Sequence, residues 1–141
     1  MKTTTTVIAC AIFLTGVSMT QNPSFADSTC DENSDTHKLV IIVTNNRPTK
    51  VVHAGANGGD ADVITVCIGD QVEWHIVGSA SDYYIDFPGG APYEGATRKN
   101  SNANGKILAT IGGPAKEGGD YKYDIGIVDG GVLDPRIIIA R

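Results

Sequence analysis

Chemistry in this chain would have to start from His37, His53 and His75, its only three histidines. Three imidazoles could in principle hold copper or zinc if the fold gathered them. Their spacing gives no sign of that. His53 and His75 belong to different segments, and His75 falls on the opposite face of its strand from Trp74, so exposed or locally bonded histidines are the expectation. Aspartates are plentiful, yet catalytic carboxylates must be held together in a cleft in differing environments, and no spacing here arranges that. Serines and threonines lack a glycine-flanked nucleophile signature, and Cys67 has no neighbouring motif that would mark a reactive thiol. The glycine-rich run from Ala54 to Asp62 has no glycine-lysine-serine/threonine ending and no helix after it, which excludes a phosphate loop. Asp60 and Asp62 resemble a fragment of a calcium loop without its remaining spacing or its terminal glutamate, and read as solvated turn residues. No catalytic, cofactor-binding or metal-ligating residue is named on these grounds, and the chain reads as a non-enzyme without a cofactor.

The compartment is easier to read than the activity. Lys2 precedes an apolar stretch, Val7 to Val17, too short to span a bilayer, and Ser24-Phe25-Ala26 supplies the small residues a signal peptidase reads. Residues 1–26 are therefore expected to be a signal peptide, residues 27–37 an N-terminal arm and residues 38–141 the folded domain, in a periplasmic or secreted protein. Taking Lys2 from the eleven basic residues leaves ten against sixteen acidic ones, a net charge of −6. That balance argues against nucleic acid as a partner, and no basic amphipathic segment remains to hold a membrane. Loss of Cys10 with the signal leaves Cys30 and Cys67, an even count suited to a disulfide in an oxidising compartment. Such a bridge would add about 3 to 4 kcal/mol by constraining the unfolded chain. Two unrelated thiols are the alternative.

Seventeen glycines and short β-prone runs without helical periodicity predict an all-β sandwich. Lys38 to Thr44 is a strand, followed by turn chemistry at Asn45-Asn46-Arg47-Pro48 and a short extended segment at Val51-Val52-His53. Val63 to Ile68 and Gln71 to Val77 are strands joined by a turn at Gly69-Asp70, with Ile64, Val66 and Ile68 inward and Cys67 outward. On the second of these Val72, Trp74 and Ile76 share a face, which puts the only tryptophan at the centre of the core. Tyr83, Ile85 and Phe87 alternate with Tyr84 and Asp86, and a further strand runs from Lys106 to Ile111 after the Asn104-Gly105 turn. Tyr121, Tyr123, Ile125 and Ile127 form the inward set of another strand, and Pro135 opens a last one from Ile137 to Ile139. Seven or eight strands in two packed antiparallel sheets are expected, with Tyr83 in the core and Tyr84 and Tyr93 as the surface aromatics.

The order Val66-x-x-Gly69-Asp70-x-Val72-x-Trp74, then Tyr83 to Phe87, then Gly119-x-Tyr121-x-Tyr123, then a strand after Asp134-Pro135, resembles the cupredoxin-like (plastocyanin/azurin-like) Greek-key β-sandwich. The resemblance runs from about Leu39 to Arg141. In the copper-bearing members a histidine leads the strand similar to Tyr83–Phe87, and a cysteine, a histidine and a methionine lie in and after the tyrosine strand. Here Tyr83, Ile125 and Val128 stand at the first three places, and the loop Asp129-Gly130-Gly131-Val132-Leu133 has no methionine. A blue-copper centre needs a thiolate and two imidazoles, which these residues cannot supply. The resemblance therefore implies a monomeric, copper-free relative acting as a non-catalytic binding or structural module on an envelope protein or small ligand. The alternative is a metal-binding or electron-transfer protein with an atypical histidine-containing site.

Overall fold

The structure is a computed structural model that describes Cys30, residues 33–78 and residues 82–141. The signal peptide expected over residues 1–26 lies outside the described residues, as do residues 27–29, 31 and 32 of the expected arm.

Period-2 alternation sets which residues are buried. On β1 (Thr36–Thr44) Leu39, Ile41 and Val43 are buried between more exposed neighbours, and on β4 (Gln71–Val77) Val72 and Trp74 do the same. These two strands lie side by side and parallel, with Leu39 in register with Trp74, so their buried residues form one apolar surface. β2 (Arg47–His53) flanks β1 and β7 (Lys106–Thr110) flanks β4, both antiparallel, giving the sheet β2-β1-β4-β7.

The opposing layer is built from two smaller sheets. One has the order β10-β9-β5-β6, from β5 (Tyr83–Asp86), β6 (Arg98–Asn100), β9 (Asp124–Ile127) and β10 (Val132–Leu133). The other is β3-β11-β8, from β3 (Val63–Val66), β8 (Asp120–Lys122) and β11 (Arg136–Ile139), with β3 and β11 parallel. β8 and β9 are consecutive parts of the tyrosine strand, separated only at Tyr123, whose N–H is donated to the Pro135 carbonyl. That run stitches the two small sheets into one face of the sandwich.

The expected all-β fold is thus the one observed, with no helix among the described residues. The eleven strands exceed seven or eight because the tyrosine strand is interrupted and because β6 and β10 are only three and two residues long. Two of the three sheets are mixed, because β1 and β4, like β3 and β11, are brought together in parallel across intervening strands, while β10-β9-β5-β6 is antiparallel throughout.

Two local expectations change. Asn45 and Asn46 both adopt positive φ, 52° and 58°, so the β1–β2 turn is complete in two residues and the strand resumes at Arg47. Pro48 therefore sits within β2, at the register shift between Ile42 and Val43 on an edge strand, where its missing N–H costs no ladder bond. Ile68 is 52% exposed rather than inward, because β3 ends at Val66. A turn follows, closed by the Asp70 N–H on the Cys67 carbonyl, and Gly69 holds its φ of 103°.

The core centres on rings. Trp74 is fully buried and meets Tyr123 edge-on at 5.8 Å, while Tyr123 stacks on Phe87 at 5.0 Å and Phe87 meets Tyr93 edge-on at 5.4 Å. The polar tips are satisfied: Trp74 Nε1–H is donated to Tyr123 Oη at 3.1 Å, and the Tyr83 hydroxyl to the Trp74 carbonyl at 2.8 Å. Burial pushes the phenols of Tyr83 and Tyr123 well above the ordinary tyrosine range and that of Tyr93 up to about 12. Raised phenol pKa values contribute stability that is complete below the ordinary value of 10.0 and lost as pH rises through the folded values.

Tyr123→Phe should lower stability by about 1–3 kcal/mol, because it leaves the buried indole N–H without an acceptor while removing almost no volume. A fall in the denaturant midpoint at unchanged m-value is the expected result, and the gap to the wild type should narrow above the tyrosine range, where only the wild type loses the Tyr123 contribution.

Candidate functional site

The residues that the family resemblance places at the copper positions are taken up by the fold in other ways. Tyr83 and Ile125 lie on neighbouring strands, Tyr83 paired with Ile127 and Ile85 with Ile125, and both are buried. The Tyr83 hydroxyl is committed to the Trp74 carbonyl and lies 3.4 Å from that of Gly105. Ile125 has only hydrocarbon to present. Val128 is 60% exposed at the start of the turn that Asp129 (φ 60°) and Gly130 close by an N–H on the Ile127 carbonyl. A side chain at Gly130 would run into the Asn46 carbonyl, so this turn packs backbone-to-backbone against the β1–β2 turn.

The histidines lie apart in the sheet register. His37 pairs with Val72 on the inward face of the β1–β4 pair, and His75 falls between Val40 and Lys106 on the outward face. His53 ends β2 and is exposed beside the glycine-rich loop Ala54–Gly58. Among the described residues there is no group of three or more His, Cys, Asp or Glu side chains that could hold a metal ion.

What sequence reasoning missed is Asp70, the one buried charged residue among those described. Its Oδ1 accepts the Asp35 N–H at 2.9 Å, and its Oδ2 accepts the Cys67 N–H at 2.8 Å and meets His37 Nε2 at 2.9 Å. Cys30 and Cys67 are joined in the expected disulfide, with Cα atoms 5.7 Å apart. The carboxylate and the bridge therefore fasten the start of β1 to the turn between β3 and β4. Burial pushes the Asp70 carboxyl up, but the Cys67 and Asp35 amides and the His37 ring outweigh it and hold the pKa below the ordinary carboxylate value. The sequence signal was the Gly69-Asp70 turn itself, since a short carboxylate at a turn can accept neighbouring amides.

The surface aromatics also change. Tyr84 is half-buried, with its ring over Gly126 on the adjacent strand, where any side chain would collide with it, and the Arg98 guanidinium is 3.7 Å from the ring centre. Tyr93 is buried rather than exposed, because its ring packs on Phe87 and its hydroxyl reaches the Thr97 carbonyl at 3.0 Å. Lys99 Nζ covers the Tyr93 ring at 4.8 Å.

No protein-family model matches the chain, and neither does any curated protein sequence. Among solved structures it is similar to amicyanin. A methionine-to-alanine variant in the Cu(I) form and a proline-to-glycine variant in the reduced Cu(I) form at pH 4 each share 14% identity at a TM-score of 0.41, over 79% of this chain and 86% of theirs. The reduced state of a proline-to-phenylalanine variant shares 14% identity at a TM-score of 0.42, over 82% of this chain and 90% of that one. These likenesses concern the fold alone.

Because the folded pKa of Asp70 is depressed, its contribution to stability is present above the ordinary value of 3.8 and lost as pH falls through the folded value. Asp70→Asn should cost about 1–3 kcal/mol at neutral pH, since one amide oxygen must replace two carboxylate oxygens facing three partners. It should also flatten the acid limb of the stability curve. Chemical denaturation of both proteins across the acid range reads both effects.

Proposed function

We propose that this chain is an exported, copper-free cupredoxin-like domain that acts in the cell envelope by binding, as a partner- or ligand-holding module without catalysis. The observation that carries the reading is the fate of Tyr83 and Ile125. The two residues standing where the resemblance expects a histidine and the cysteine are both buried, one with its hydroxyl committed to the Trp74 carbonyl and the other wholly hydrocarbon. A type 1 centre draws its strong bond from a thiolate. Both mature cysteines are consumed by the Cys30–Cys67 bridge, which also supports an oxidising compartment.

Metal analysis of purified protein, with copper(II) and zinc(II) titrations, tests the reading. The expected result is no intense thiolate-to-copper absorption and no stoichiometric submicromolar binding. Stoichiometric tight binding abolished by His75→Ala would replace it with an atypical histidine site.

A further inference from the structure

The chain contains two asparagine-glycine steps, Asn57-Gly58 and Asn104-Gly105, and the fold holds them differently. An asparagine followed by glycine is open to attack on its own side chain, because the next main-chain nitrogen can close a five-membered ring on it and glycine has no Cβ to obstruct the approach. Closure makes two demands. The peptide between the two residues must rotate, and the glycine N–H must leave any hydrogen bond that it makes.

Asn104-Gly105 is restrained on both counts. Gly105 N–H is donated to the Asn102 carbonyl at 2.9 Å, and Asn102 Oδ1 accepts the N–H groups of Asn104 at 2.9 Å and Lys106 at 3.1 Å. The Asn102 N–H on the Lys106 carbonyl, at 2.9 Å, closes the turn, and Gly105 within it is half-buried.

Asn57-Gly58 has far less to hold it. Residues 53–60 are all exposed, and among the described residues the Gly58 N–H has one acceptor, the Gly55 carbonyl at 3.2 Å, at the long end of the ordinary range. Gly55 itself, at a φ of 140°, has open space around it. The loop bends around a hollow of about 340 Å³ lined by residues 53–58, which gives water access to the step. Its ends are tied elsewhere. His53 N–H is donated to the Gly59 carbonyl and Ala61 N–H to the Val51 carbonyl, both at 2.9 Å, so the step can rotate without loosening β2 or β3.

We propose that Asn57 is a site of spontaneous covalent modification, deamidation through a cyclic imide formed with Gly58. The Gly58 main-chain nitrogen loses its proton to water and bonds to Asn57 Cγ, the Cγ–Nδ2 bond breaks, and Nδ2 takes a proton from water and leaves as ammonia. Water then opens the ring at either carbonyl. The products are aspartate in the ordinary linkage and a β-linked aspartate that puts one extra carbon into the main chain; nothing is oxidised or reduced. Either product adds a negative charge to a loop that already carries Asp60 and Asp62. The inference goes beyond the binding role and is independent of the copper-free reading, which metal titration tests separately.

Purified protein held at physiological temperature and mildly alkaline pH reads the outcome, with digests followed by mass spectrometry and by enzymatic methylation of β-linked aspartate. The peptide containing Asn57 should gain about 1 Da, with the β-linked form among its products, and do so about tenfold or more faster than the peptide containing Asn104, the ratio to which one or two net hydrogen bonds correspond. In urea strong enough to unfold the chain the two rates should converge, which separates the contribution of the fold from that of the shared dipeptide. Asn57→Gln should abolish the gain in that peptide, because its longer side chain would have to close a six-membered ring. An Asn57 that stays intact, equal rates in the folded protein, a ratio that persists in urea, or a gain that survives Asn57→Gln would overturn the proposal.

Discussion

The contact between Trp74 and Tyr123 carries the two layers of this protein. Trp74 belongs to the sheet β2-β1-β4-β7 and Tyr123 to the junction of the other two, and they meet through both an edge-on ring contact and an indole-to-phenol hydrogen bond. Around that pair the Phe87 and Tyr93 rings continue the packing toward one side of the sandwich, and the Tyr83 hydroxyl ties β5 to the main chain of β4. Aromatic side chains supply large apolar area, but each buried polar tip must be paired or the area is gained at the cost of an unsatisfied group. Here the tips are paired with one another and with the backbone. The core is therefore specified in direction as well as in volume, because a shift of register that moved Trp74 by one residue would strand its N–H on the outer face.

This commitment of side chains to structure extends beyond the ring cluster. Tyr83 and Ile125 face the interior of the layer in which the resemblance would seek metal ligands, and there they serve the core. The Tyr83 hydroxyl, the Trp74 indole and the Asp70 carboxylate are each bound to a partner within the fold.

Strands with one clean buried face were legible in the sequence. Val72 and Trp74, Tyr83 and Ile85, Tyr123 and Ile125 alternate strictly, and the structure buries each of them. The Cys30–Cys67 pairing was legible for a different reason, since the expected loss of Cys10 with a signal peptide leaves two cysteines with one intramolecular option. What alternation could not provide was where alternation stops. Ile68 follows Val66 at the strand period but belongs to the turn that Gly69 makes possible, and Tyr93 lies in a connection with no period at all, buried only because Phe87 is there to receive it. Parallel pairing of β1 with β4 was equally hidden, because it depends on which strand the chain returns to across two others.

Asp70 shows most plainly why one site escaped a reading by residue type. A carboxylate is usually assigned to solvent, and Gly69-Asp70 looks like any tight turn. Its role appears only when the start of β1, distant in sequence, arrives at the turn, so that the amide of Asp35 and the ring of His37 join the local amide of Cys67. The disulfide and the carboxylate then act on the same junction by different physics. The bridge restricts the unfolded chain and is indifferent to pH, whereas the carboxylate stabilises the folded state and weakens when protonated. Joining the start of β1 to the β3–β4 turn in both ways keeps Leu39 in register with Trp74, and that register is what lets the tryptophan meet Tyr123 across the sandwich.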